Sequence, residues 1–201
     1  ESHTTVEGLQ IQGSTGSDAI YVGFTRTNTI LDKVISEGRR NGGQGGMYAL
    51  GSGKGINSWF VQRGTTGYAL HVHYGTWTFS GSFFLRPSDV ATSTEALNLG
   101  SACTVKNCGA FGFTNFYSGT APSGSNNCSD VAITFGTNNQ ASKTYANQFV
   151  TTTDAARDFR PKAGADLLNN GVTDTTNIPA AADAVGTARP QGSAWDIGAI
   201  E

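Results

Sequence analysis

The sequence predicts an all-β solenoid: a parallel β-helix of about five to six coils made by one chain, with an irregular C-terminal capping tail. Three observations carry this expectation. First, apolar residues return at nearly constant steps, with Val6, Ile30, Ile56, Phe79 and Val105 standing 24, 26, 23 and 26 residues apart. Second, each is followed two positions on by a small or polar residue (Gly8, Asp32, Ser58, Gly81, Asn107) and five positions on by another apolar column (Ile11, Ile35, Val61, Phe84, Ala110). A period in the twenties with columns of like character marks stacked coils, none of which can bury its apolar face alone. Third, glycine is 27 of 201 residues, and apolar spacing of i, i+3, i+4 is hard to find before residue 140, so long amphipathic helices are excluded. An antiparallel sandwich also makes short strands with regular turns. It gives no reason, however, for like residues at equal steps.

Taken in order, residues 4–11 (TTVEGLQI) read as a strand, and after the turn GSTGSD residues 19–24 (AIYVGF) read as a second, with Ile20, Val22 and Phe24 on one face. Residues 29–36 open the second coil, and EGRRNGGQGG, too glycine-rich and polar for regular structure, crosses to 47–50. The third coil is 56–63, the turn GTTG and 68–74 (YALHVHY); the fourth is 77–85, the excursion RPSDVATSTE and 96–99; the fifth is 103–110 and 112–117. A second ladder then aligns Ile20, Tyr48, Leu70, Leu97 and Phe113. Because the excursions vary in length while the strands do not, loops should project from one side of a fixed stack. Asp32, Ser58 and Asn107 stand where bends are expected and can pair in ladders that satisfy buried backbone groups. GTAPSGSNNCSD reads as a long polar loop, and VAITF at 131–135 as a last partial coil. The coils therefore occupy residues 1–135 and the cap 136–201, with one short helical turn near Asp154 to Arg157. The cap is expected to cover the unpaired N–H and C=O groups of an exposed coil end.

Charged residues make up 14% and the formal net charge is -2, so no broad basic surface is offered to nucleic acid or anionic lipid. No run approaches the roughly 20 apolar residues of a membrane span, and no charged-then-apolar signal segment opens the chain. Cys103, Cys108 and Cys128 allow at most one internal disulfide; they read as small apolar core residues and match no zinc spacing. The chain opens on Glu1 and reaches Val6 almost at once, which suggests that it continues a longer polypeptide or was released from one.

The run DFRPKAGADLLNNGV (158–172) followed by GTARPQGSAWDIGAIE (186–201) resembles the C-terminal motif of right-handed parallel β-helix proteins of bacterial surfaces and phage particles, tailspikes included. That family carries a segment of the form dFRLk.gS.aiDaG before G..RpqGs.wDIGAyE. Asp158, Phe159, Arg160, Lys162 and Gly171 match the first part; Gly186, Arg189, Pro190, Gln191, Gly192, Trp195, Asp196, Ile197, Gly198, Ala199 and Glu201 match the second. Pro161, Ala165 and the pair Asn169–Asn170 depart from it. The resemblance implies a right-handed coil, self-association (often as trimers), contacts with other virion or surface subunits, and an extracellular place on a virion or bacterial cell surface. It implies that IGAIE is a natural chain end and is nearly silent about activity. In the cap, Phe159 is expected along a sheet face, Trp195 on the last coil closing its floor, and Arg189 paired with Asp196 or Asp158.

Two carboxylates converging about 5 to 10 Å apart would suit a glycosidase, yet among Glu7, Asp18, Asp32, Glu37, Asp89 and Glu95 no two share an expected column on adjacent coils. His71 and His73 point to one strand face without an evident third metal ligand. Tyr48, Trp59, Tyr68, His71, His73, Tyr74 and Trp77 could present rings on which a sugar stacks. No catalytic residue, cofactor or metal is assigned, and the reading leans against catalysis. The expectation is a non-enzymatic structural or adhesive module whose loops contact a host surface glycan or neighbouring subunits. The alternative is a polysaccharide depolymerase, a lyase or glycoside hydrolase of the β-helix type.

Overall fold

Short strands of two to seven residues wind the chain into coils of three. The computed structural model describes residues 3–39, 45–90, 93–155 and 158–201. Coil one holds β1 (Thr4–Glu7), β2 (Gln10–Gln12) and β3 (Ile20–Val22); coil two β4 (Thr29–Asp32), β5 (Ile35–Gly38) and β6 (Met47–Ala49). Coil three holds β7 (Gly53–Ile56), β8 (Trp59–Gln62) and β9 (Leu70–Val72); coil four β10 (Trp77–Ser80), β11 (Phe83–Leu85) and β12 (Ser93–Leu99). Coil five holds β13 (Cys103–Lys106), β14 (Gly109–Phe111) and β15 (Phe113–Gly119), and β16 (Ser123–Ser125) with β17 (Cys128–Ser129) begins a sixth. Strands pair in parallel throughout. They make three sheets: β1-β4-β7-β10-β13-β16, β2-β5-β8-β11-β14-β17 and β3-β6-β9-β12-β15. The fold is thus a parallel β-helix. The segment expected as a polar loop at 119–130 contains β16 and β17 instead.

The register corrects the expected ladder. In the first sheet the inward column is Val6, Leu31, Gly55, Phe79, Val105 and Gly124. Val6, Phe79 and Val105 share it, whereas Ile30 and Ile56 sit one residue away, and a slip of one turns a side chain to the opposite face. In coil two the apolar pair Ile30–Leu31 sends Leu31 inward. In coil three the inward slot is Gly55, where a Cβ would come within 2.7 Å of the Phe79 ring and 3.2 Å of Phe60. Those rings fill the space, and Ile30 and Ile56 lie on the outer face beside Ile178, Trp195 and Ala181. The same slip affects the other sheets. The second sheet's inward column is Ile11, Ser36, Phe60, Phe84, Ala110 and Ser129, leaving Ile35 and Val61 outside. The third sheet's is Ile20, Met47, Leu70, Leu97 and Tyr117, leaving Tyr48 outside and pairing Phe113 with Ser93.

Inside the coils, Trp77 stacks on Phe79 at 5.7 Å, Phe60 meets Phe79 edge-on at 5.8 Å, and Phe84 stacks on Phe60 at 5.7 Å. All four rings are fully buried. Each contributes about 1.5–3 kcal/mol by burial, with about 0.5–1.5 kcal/mol more per well-placed ring pair.

Two residues join the first sheet to the second in every coil, and the first of each pair (Gly8, Lys33, Asn57, Gly81, Asn107, Asn126) has φ between +48° and +65°. Glycine and asparagine tolerate this left-handed conformation best. From coil two on the second residue (Val34, Ser58, Ser82, Cys108, Asn127) is buried, and its polar members build a ladder. Ser58 Oγ accepts from Val34 N (3.0 Å), Ser82 Oγ from Ser58 N (3.2 Å), Asn127 Oδ1 from Cys108 N (3.0 Å) and Asn139 Oδ1 from Asn127 N (2.9 Å). Of the expected ladder residues, Ser58 belongs to it. Asp32 accepts from Asn57 outside the coil (3.3 Å), and Asn107 turns to the tail, donating to Val172 O at 2.6 Å. Connections from the second sheet to the third run seven or eight residues in coils one to four, so the excursions EGRRNGGQGG and RPSDVATSTE do gather at one corner, but in coil five Gly112 alone makes the turn. Residues 40–44 of EGRRNGGQGG and 91–92 of RPSDVATSTE lie outside the described residues.

Parallel bridges Ser125–Thr137 and Cys128–Gln140 carry the stacking past residue 135. Residues 131–135 are not a strand; Val131, Ile133 and Phe135 plug the interior, with Phe135 edge-on to Phe116 at 5.2 Å. The floor is closed by this plug and not by Trp195. The tail instead straps the flank: Phe149, Ala165, Leu167, Ile197 and Ala199 cover Val61, Phe83, Leu85, Phe111 and Cys128 on the outer face of the second sheet, with Phe159 at the margin. Hydrogen bonds tie it to coil three (Asn57 Nδ2 to Ala182 O, 3.2 Å), coil four (Ser80 Oγ to Asp174), coil five (Gly198 N to Asn107 O, 2.8 Å) and coil six (Asn126 Nδ2 to Asn170 O, 3.0 Å). Arg189 pairs with neither expected carboxylate. It donates to Gly198 O (2.8 Å) and Asp196 O (3.2 Å), meets Glu201 Oε2 at 3.4 Å and lies 5.4 Å from the Trp195 ring centre. Asp196 instead accepts from Asn169 N at 2.7 Å, and Asp158 pairs with Arg160. Among the described residues the helical element is the 3-10 turn Tyr145–Asn147. Residues 156–157 of the helical turn expected near Asp154 lie outside the described set. No helix among the described residues is long and apolar enough to cross a membrane.

Candidate functional site

The outer face of the third sheet carries the most concentrated aromatic surface. Tyr21, Tyr48 and His71 occupy one outward column on successive coils, about 4.8 Å apart along the stack. Their ring centres lie 5.8 Å (Tyr21–Tyr48) and 5.0 Å (Tyr48–His71) apart. Strand alternation returns His73 to the same side, 5.5 Å from His71 and 6.2 Å from Tyr48. Tyr68 stands 5.7 Å from His71, Tyr74 4.2 Å from His73 and Phe24 5.1 Å from Tyr74. Tyr21 and Phe24 are each 63% exposed and Tyr74 48%. The face thus unites Tyr48, Tyr68, His71, His73 and Tyr74, and adds Tyr21 and Phe24. Tyr21 was findable from the alternation that puts Ile20 and Val22 inward. Phe24, expected on their face, is carried outward past the end of β3.

Burial, followed by the neighbouring His73, pulls the His71 imidazole down to about 4, so it is neutral near pH 7. Its Nδ1 is buried without a hydrogen-bond partner among the described residues. Burial also raises the Tyr48 phenol, keeping it protonated. The face is therefore an array of rings, with His71 and Tyr48 held uncharged, edged by hydroxyls and ring nitrogens and able to pack against apolar surface and hydrogen-bond polar edges at once.

Two expected members lie elsewhere. Trp77 is inside the coil, 0% exposed, with its Nε1 donating to Gly51 O at 2.7 Å. It points inward because the slot beneath it is Gly53, where a Cβ would meet the indole at 2.9 Å. Trp59 is half-buried on the outer face of the second sheet, at the margin of the strap, where it lines a groove of about 220 Å³.

Acidic residues are engaged structurally. Glu7 and Asp32 are register partners on adjacent coils, contrary to the expectation that no two candidate acids share a column; the shifted ladder had separated them. Lys33 pairs with Glu7 at 3.0 Å. Burial raises the Asp32 carboxyl, against the opposing effects of Asn57 and Lys33. Arg63 joins Glu37 (2.9 Å) to Asp154. Burial pushes the thiols of Cys103 and Cys108 up to about 11 and about 12 and that of Cys128 higher still, so the three unbonded cysteines stay protonated and unreactive. No group of three or more His, Cys, Asp or Glu among the described residues is placed to hold a metal. In comparisons with known proteins, no protein family, no curated protein and no solved structure matches the chain.

Proposed function

We propose that this chain is a non-enzymatic structural and adhesive β-helix module of a virion, such as a phage fibre, tailspike or capsid decoration, or of a cell-surface protein, and that it holds a host surface glycan against its third sheet. The observation that carries the glycan reading is the outward-facing ring array of Tyr21, Tyr48, His71, His73 and Tyr74 on a rigid stack. A sugar ring has an apolar C–H face that packs on such rings and hydroxyl edges that bond to phenols and imidazole. A platform set on strands loses little entropy on binding. The surface placement and self-association rest on the resemblance of the tail. Retention of the protein on immobilised neutral and acidic polysaccharides tests the reading. Wild type is expected to be retained without releasing reducing ends or unsaturated products, and Tyr48→Ala to lose at least tenfold in affinity. Equal retention of the two proteins refutes it.

The depolymerase reading is favoured by one observation, the Glu7–Asp32 pair beside Lys33 on adjacent coils. Side chains in register on adjacent coils, about 4.8 Å apart along the stack, fall near the spacing that paired glycosidase carboxylates use. New reducing ends in the same incubation, abolished by Asp32→Asn, would replace the first reading with this one.

A further inference from the structure

We propose a second sugar site, in the groove between the second sheet and the strap: a pocket for one neutral pyranose unit, with Trp59 as its floor. This extends the glycan reading to a different face of the molecule. The outward column through this region is Gln10, Ile35, Trp59, Phe83. Phe83 is covered by the strap, but the strap stands away from the sheet at Ile35 and Trp59, and Phe159 forms the opposite wall. The resulting groove of about 220 Å³ falls below the roughly 300–1,000 Å³ that drug-sized ligands fill, so it admits a single ring.

Its chemistry selects the ligand. Ile35, Trp59 and Phe159 offer an apolar floor and wall to the C–H face of a sugar. The rim alternates carboxylate and guanidinium: Glu37 and Asp154 bridged by Arg63, and Asp158 bound to Arg160. Gln10 and Gln12 donate to Glu37 at 3.2 and 3.0 Å, and the Arg63 and Glu37 side chains are only 11% and 5% exposed, so this rim is fixed before a ligand arrives. Hydroxyl groups, which donate and accept, suit such a rim; a hydrocarbon does not. Three carboxylates against two guanidiniums disfavour a uronate or a sugar phosphate.

The tryptophans provide a selective readout. Trp77 and Trp195 are 0% and 2% exposed, so acrylamide quenching of the folded protein reports on Trp59. Methyl glycosides of glucose, galactose, mannose and N-acetylglucosamine are titrated, with methyl glucuronide as the charged comparison. At least one neutral glycoside is expected to protect Trp59 saturably with a Kd on the order of 1 mM, and the glucuronide at least tenfold more weakly. The saturation-transfer NMR signal of the same glycoside should fall severalfold in Trp59→Ala and persist in Tyr48→Ala. No protection by any neutral glycoside up to about 100 mM, equal protection by the glucuronide, or a signal lost in Tyr48→Ala overturns the proposal. Polysaccharide retention tests the third-sheet face separately, so failure of one site is distinguishable from failure of the other.

Discussion

Arg189→Ala should weaken the strap more than any other single truncation in the tail. The guanidinium and the Glu201 carboxylate are 0% and 1% exposed, so their charges are shielded from water and depend on one another. Glu201 also accepts from Gln191 N at 2.9 Å and Asp196 N at 3.1 Å, which orient it but do not neutralise it. Removing one partner of a buried ion pair costs about 3–5 kcal/mol because the other charge is stranded. At about 2–4 °C per kcal/mol for a chain of this size, Tm should fall by roughly 6–20 °C. Calorimetry at pH 7 measures it, with Arg189→Met/Glu201→Met as the control. Replacing both charges by apolar groups of similar volume is often near neutral, so the double variant should recover most of the loss. A fall of under about 2 °C in Arg189→Ala, within the effect of an ordinary surface change, or a double variant as unstable as the sum of the singles, would refute the reasoning.

Trp77→Ala should cost about 3–5 kcal/mol as a core truncation and leave polysaccharide affinity per folded molecule unchanged, as read by denaturant unfolding alongside retention. Asn127→Ala strips the inner ladder of its bonds to Cys108 N and Val105 O and should lower stability by about 2–4 kcal/mol, with faster amide exchange at Cys108. Between about pH 6.5 and 4 the unfolded chain protonates His71 while the native state does not, so its stability contribution is full above pH 6.5 and lost on acidification. In His71→Asn, Tm should fall less steeply across that window. Asp130 acts in the opposite sense: burial holds its carboxyl up at about 6, so Asp130→Asn should raise Tm at pH 8, with the gain shrinking toward pH 4.

Stacking was legible in the sequence because period survives any error of phase. Phase itself was not. Apolar neighbours such as Ile30–Leu31 and Phe60–Val61 offer two candidates for one inward slot, and at coil three the true occupant, Gly55, is the least apolar in appearance because Phe79 fills its space. The runs WFV and FFL held a signal for the strap, since strands buried on both faces lose their alternation; Val61, Phe83 and Leu85 are covered by it. At the site, strand alternation set His71 and His73 on one face, whereas Tyr68 and Tyr74 were legible only by residue type, since alternation alone would group them with Leu70 and Val72. Trp77 was misplaced because residue type cannot tell a ring in the coil from one on its surface; the glycine one coil below could have.

In a simple solenoid each coil touches only its neighbours, and a pull on one end would peel it away turn by turn. The strap alters that mechanics. By fastening coils three to six to one another through residues far along the chain, with Ile30 of coil two packed at its edge, it couples them into a block that must give way together, leaving coil one to fray first. Force applied at the start of the chain would thus meet a soft stretch and then an abrupt stop.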